Sequence, residues 1–153
     1  MELRIKEASV DQIIRLRHRT LRTGLPIGTA RFPGDDDPGT LHFAAFPDDY
    51  FEVDEGMSDV VCCASFMLNS LDGQPAWQLR GMATDSELRG RGVGRALLLV
   101  AEKTIIERSD VRLLWCNARL DAVVFYEKQG WRSVSEVFEV STAGPHRKMT
   151  KRL

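Results

Sequence analysis

The chain has 153 residues, 43% hydrophobic and 28% charged, with a net charge of −1. That length suits one domain, 1–153, large enough to bury a core. No run of about 20 apolar residues occurs, so no helix is expected to span a membrane, and neither membrane nor nucleic acid is expected as a partner.

The opening "MELRIKEASV" lacks a basic stretch followed by an apolar core, so no secretory leader is expected. Within it "LRIK" alternates and predicts a first strand. "SVDQIIRLRHRTL" predicts a helix. Ser9 and Gln12 have the spacing of a capping box, in which hydroxyl and amide each satisfy an orphan backbone N–H. Val10, Ile13, Ile14 and Leu21 fall along one stripe of that helix. "RTGLPIGTARFPGDDDPGT" is rich in Gly, Pro and Asp and predicts a long loop, a feature often tied to function. "LHFAAF" and the apolar, β-branched "DVVCCASFMLN" predict two strands. Asp72-Gly73 is a hairpin signal, and "AWQLRGMAT" follows as a fourth, antiparallel strand.

Beyond that point a glycine-rich loop leads into a helix from about Gly92 to Arg108. "VRLLWCN" is nearly continuous in apolar residues, as in a strand covered on both faces. "LDAVVFYEKQ" predicts another helix, with Gly130 placed for a left-handed cap. "WRSVSEVFEVS" alternates as a strand, "TAGP" turns, and "HRKMTKRL" returns as the last strand. Strands four and five are joined through a helix and are expected to be parallel. The order β-α-β-β-β-α-β-α-β-β predicts a mixed sheet with helices on its faces.

Cys62, Cys63 and Cys116 offer neither a disulfide framework nor CxxC metal spacing. They read as buried small hydrophobes in a reducing cytoplasm. Residues 1–76 hold seven Lys/Arg and 13 Asp/Glu, while residues 77–153 hold 14 and nine. The basic half contains the glycine loop, which suits a polyanionic ligand there and a cationic one near the acidic half.

The glycine loop is "RGRGVGRALL", Arg89 to Leu98. It fails the GxxxxGK[ST] phosphate loop, since Arg95 stands where the second glycine belongs. It fails G-x-G-x-x-G as well, from either Gly90 or Gly92. What remains is Arg-x-x-Gly-x-Gly from Arg89, Gly92 and Gly94, between a strand and a helix. Small residues let a ligand approach the backbone, and the helix N-terminus adds its positive dipole end. A pyrophosphate fits that chemistry, with Arg91 and Arg95 adding charge.

In this setting "LRGMATDSELRGRGVGRALL", "NARLDAVVFYEKQGW" and "GPHRKMTKRL" resemble the GNAT superfamily of acyl-CoA-dependent N-acetyltransferases. The likeness runs from about Trp77 to the C-terminus, and the strand order matches it in layout. It implies an α/β fold of the α+β kind. The sheet is mixed and mostly antiparallel, with about seven strands flanked by helices, and strands four and five are parallel and splayed. It also implies that the pantetheine arm of acetyl-CoA, the co-substrate, lies in that gap. The backbone of Met82, Ala83 and Thr84 would pair with the arm, and an N–H near Met82 would polarise the thioester carbonyl. Gly81, inside the fourth strand, suits the bulge that such members carry there. Arg89, Gly90, Arg91, Gly92, Val93, Gly94 and Arg95 would cradle the pyrophosphate, and Asn117 would reach the arm. Tyr126 would sit near the sulfur and protonate the leaving thiolate. Lys128 reads better as a solvated helix-end residue than as a phosphate contact.

Some members use a glutamate on the fourth strand as general base. Here that strand offers Gln78 and Arg80 and no carboxylate. His42, His18, Glu52, Asp54 and Glu55 are the remaining candidates, and His42 has the suitable titration range. His146 reads as structural. Asp35, Asp36, Asp37, Asp48 and Asp49 would favour a cationic amine at the mouth, and no metal site is expected from "DDD". The acceptor is expected to be a primary amine of a small molecule or peptide, built against the first helix, the long loop and the final hairpin. Members often form homodimers. The alternative is a non-catalytic acyl-CoA-binding or sensor module, and a nucleotide-binding protein is disfavoured by the failed loops.

Overall fold

The structure is a computed structural model that describes residues 2–47 and 60–153. Asp48, Asp49, Glu52, Asp54 and Glu55 lie outside the described residues. The elements are β1 (Leu3–Glu7), α1 (Val10–Leu21), β2 (Leu41–Pro47), β3 (Cys62–Leu68), β4 (Trp77–Thr84), α2 (Val93–Arg108), β5 (Leu113–Arg119), α3 (Val123–Lys128), β6 (Arg132–Ser133), β7 (Phe138–Val140) and β8 (Gly144–Arg152). They form an eight-stranded sheet in the order β1-β2-β3-β4-β5-β8-β6, with β7 also on β8. Every pairing is antiparallel except β4 with β5.

The strand expected from "WRSVSEVFEVS" is two strands. Ser135 interrupts it by accepting the Lys148 N–H on its own hydroxyl at 2.8 Å, in place of a backbone carbonyl. The β8 backbone is thus satisfied by a side chain there, and β6 and β7 flank the break. At the start of α1 the Ser9–Gln12 capping box forms in both directions. The buried line of α1 differs from the expected stripe. It runs through Ile13, Leu16 and Arg17, whereas Val10, Ile14 and Leu21 are only partly covered.

The sheet is covered on both faces. Leu97, Leu98, Ala101 and Ile105 of α2, with Tyr126 and Trp131, pack on Phe43, Phe66, Leu79, Leu114 and Met149. Ile13 and Leu16 of α1 pack on the opposite face against Ala44, Phe46, Cys63 and Ala83. Among the described residues no helix is long and apolar enough to cross a membrane.

The three cysteines are free and buried, as expected. Burial raises Cys62 to about 11, Cys63 to about 12 and Cys116 to about 12. All three are therefore thiols at neutral pH. Their folded values exceed the unfolded one, so the stability they carry is complete below the unfolded thiol value. It is lost as pH rises from there toward the folded values. Each thiol should lower the unfolding free energy by about 1.4 kcal/mol per pH unit above pH ~9. Urea titrations between pH 8 and 10.5 will read this slope, and Cys116→Ala should make it shallower. An unchanged slope in that variant would contradict the assignment.

Candidate active site

β4 and β5 pair at only two positions, Trp77 with Leu114 and Gln78 with Trp115. From Leu79 onward β4 leaves its neighbour, while β5 continues along β8 from Leu113 to Arg119. The expected splay is present. A cleft of about 730 Å³ opens in the gap, within the range of roughly 300–1,000 Å³ typical of small-molecule sites.

The β3–β4 register shifts at the splay. Cys63 faces Ala83 and Ser65 faces Arg80, so β4 spends one residue more than β3 over this step. That is the bulge that Gly81 suggested. Gly81 has φ +64°, and a Cβ there would come within 2.5 Å of Arg17 Nε. Glycine is required on both counts. Met82, Ala83 and Thr84 follow and line the cleft.

Gly90 and Gly92 both take left-handed φ, +76° and +80°. Gly92 caps α2 in that conformation, and the helix starts at Val93. Its first N–H groups have no intrahelical acceptor, which leaves them for a ligand. Gly94 has ordinary φ but no room. A Cβ would lie 3.1 Å from both Met82 Cε and Phe125 Cζ. Arg89, Gly90, Gly92, Val93, Gly94 and Arg95 line the cleft, whereas the exposed Arg91 does not.

Tyr126 lines the cleft from α3 and is otherwise buried. Its ring meets Phe125 edge-on at 5.2 Å and Trp131 at 5.4 Å. Among the described residues no protein group hydrogen-bonds its hydroxyl. Burial raises its ionisation well above that of a free phenol, with Cys116 and Cys62 adding to the effect. Asn117 also lines the cleft and is exposed. It lies inside β5, which runs on to Arg119, and not at the strand's end.

The remaining candidates lie elsewhere. His42 is buried on β2, with Nδ1 2.6 Å from Ser65 Oγ and Nε2 2.9 Å from the Asp35 carbonyl, and is not part of the cleft lining. His18 Nε2 meets the Leu25 carbonyl at 2.6 Å. Asp35 is sealed inside, bound to Arg17 at 2.6 Å, and Asp36 pairs with Arg31 at 2.7 Å. The described acids of the long loop therefore do not face the cleft, apart from which Asp37 stays on the surface.

Several lining residues were not expected at the site, among them His146, which reads from the sequence as structural. Thr20, Leu21 and Arg22 end α1, Phe32 comes from the long loop, Arg119 ends β5, and His146 opens β8. More than 100 residues separate Arg22 from His146, and no local pattern joins them. Phe32 is held between two guanidinium groups, Arg17 at 4.2 Å and Arg80 at 5.0 Å from its ring centre.

Residues 47–133 match the profile of a family described as acetyltransferase (GNAT) domain. A Bacillus subtilis (strain 168) protein named "uncharacterized N-acetyltransferase YitI" is 33% identical over 154 residues, covering 99% of this chain and 97% of its own. A solved structure of a putative N-acetyltransferase from Lactobacillus plantarum superposes with a TM-score of 0.75 at 19% identity, covering 100% of this chain and 99% of that one. An aminoglycoside 6'-N-acetyltransferase complexed with coenzyme A superposes at 0.71 and 18% identity, covering 97% and 96%.

Proposed function

The chain belongs to the GNAT acetyltransferase family, and we propose that it moves the acetyl group of acetyl-CoA to a primary amine by direct attack in a ternary complex. One observation carries this reading: a single cleft runs from the glycine loop at the start of α2, through the β4–β5 gap, to Tyr126.

The parts fit a thioester of coenzyme A. Gly90 and Gly92 expose backbone N–H groups beside Arg89 and Arg95, so the pyrophosphate meets donors and charge at a helix N-terminus. Arg91 adds only long-range charge from the surface. The bulge takes Gly81 and Met82 out of register with β3, which leaves the β4 backbone facing the gap for the pantetheine amides and the thioester oxygen. Ala83, Thr84 and Asn117 extend that contact. The amine lone pair forms the C–N bond, the C–S bond breaks, and sulfur leaves with the electron pair. We assign Tyr126, protonated at neutral pH and lining the same cleft, as the donor that meets that charge.

Calorimetric titration tests the cofactor. CoA and acetyl-CoA should bind, and ATP and NAD should not. Tight ATP binding without CoA binding would overturn the reading. Free-thiol release from acetyl-CoA across a panel of amines, amino acids and peptides then tests turnover. CoA binding with no turnover on any amine would establish the sensor module instead.

A further inference from the structure

The two ends of the cleft differ in what their charges already hold. Arg89 and Arg95 stand at the glycine loop. On the α1 side of the sheet stand Arg22, Arg80 and Arg119, and Asp121 is the one carboxylate among the described lining residues. These three arginines bond only neutral groups. Arg22 reaches Thr142 Oγ1 at 3.2 Å and Thr29 Oγ1 at 3.5 Å. Arg119 donates to the Leu21 carbonyl at 2.9 Å. Arg80 donates to the Pro33 carbonyl at 2.6 Å. Among the described residues none of them has a carboxylate partner. Asp35 acts on Arg80 electrostatically, so Arg22 and Arg119 are the partly buried pair left without a carboxylate among the described residues. Such groups are costly, and a planar anion is what their fork of donors suits.

His146 supplies an independent observation. It is 6% exposed yet lines the same cleft. Its Nδ1 lies 2.7 Å from the Gly144 carbonyl. A carbonyl only accepts, so Nδ1 carries the proton and Nε2 of the neutral ring keeps its lone pair. Among the described residues Nε2 has no protein partner. Phe138 stacks on the ring at 6.1 Å and fixes its plane.

Contacts join Arg22, Arg119 and His146 into one cluster. Arg119 faces His146 across the β5–β8 ladder. It also binds the carbonyl of Leu21, the residue before Arg22. Arg22 binds Thr142 in the turn that leads to Gly144 and His146. We infer that the acceptor is a primary amine carrying its own carboxylate, of the amino-acid type. Arg22 and Arg119 hold the carboxylate, and the amino group faces Nε2 of His146. This rests on the acetyl-transfer reading above and replaces the cationic acceptor expected from the acidic loop. In the reaction, C–N forms and C–S breaks. The proton lost by nitrogen goes to His146 Nε2, and sulfur takes the Tyr126 proton. Solvent exchange then restores both side chains.

The test follows thiol release from acetyl-CoA with amino acids, each paired with its own amide and its decarboxylated amine. The acids should exceed both analogues in kcat/KM by roughly tenfold or more. Arg22→Gln should raise KM for the acid about tenfold and narrow the gap between acid and amide. His146→Gln should lower kcat for the acid about a hundredfold with little change in KM. Analogues acetylated as well as the acids would overturn the inference and leave the acetyl-transfer reading standing. Arg22→Gln changing acid and amide equally would also overturn it, and kcat within threefold in His146→Gln would remove the histidine's role. No turnover with any amine would overturn both readings.

Discussion

Tyr126→Phe is expected to lower kcat about a hundredfold while acetyl-CoA affinity stays unchanged. The substitution removes one hydroxyl and keeps the ring, so the packing against Phe125 and Trp131 survives. A phenol whose ionisation is raised is a weak acid, and an ordinary thiolate would take its proton reluctantly. The surroundings alter that balance. Cys116, coupled electrostatically to Tyr126, is itself pushed up to about 12 by burial. Sulfur in this interior is a strong base. A thiolate released beside Tyr126 and shielded from water is a stronger base than in solution, which favours proton transfer from the phenol. Stopped-flow thiol detection gives kcat, and calorimetry gives affinity. A variant within threefold of the parent across the pH range would end the acid role.

Arg17→Met is expected to cost about 3–5 kcal/mol of stability. Arg17 is fully buried. It donates to Asp35 at 2.6 and 3.3 Å, to Ser65 Oγ at 2.8 Å and to the Ala30 carbonyl at 2.8 Å. Removing it strands the Asp35 charge and two further acceptors in the interior. It also empties the space against which the Gly81 bulge rests. With a urea slope of about 1–3 kcal/mol per M, the midpoint should fall by about 2 M. Arg17→Lys should recover only part, since an ammonium cannot reproduce the fork that spans Asp35 and Ser65. Stability of Arg17→Met within 1 kcal/mol of the parent would show that the network contributes little.

The C-terminal half was open to a reading from local chemistry. Arg89 to Arg95 is contiguous, and its glycines announce left-handed φ and close approach without any tertiary partner. Gly81 marked its bulge for the same reason, because a glycine inside a strand needs a local cause. Tyr126 and Asn117 entered through the resemblance to the GNAT family and not through local chemistry. Arg17 was not legible. In "RLRHR" it differs from Arg15 and Arg19 only by its helical phase, and charge alone argues for solvent in every case. Asp35 misled for a related reason. Within Asp35, Asp36 and Asp37 one carboxylate turns inward to meet Arg17 while its neighbours stay outside.

From residue order alone came most of the elements, though not the break between β6 and β7, together with the parallel β4–β5 pair and a glycine loop that suits a pyrophosphate. Each of these depends on neighbours a few positions apart, through capping, alternation and glycine conformation. The other end of the cleft follows from folding. Arg22, Arg80, Arg119 and His146 lie on four different elements. They converge because β4 and β5 separate, α1 closes over the gap, and β8 returns beside β5. Charge balance in that space depends on which carboxylates the core has already taken up. Asp35 pairs with Arg17 and also acts on Arg80, which leaves Arg22 and Arg119 as the charges on which the acceptor proposed above depends.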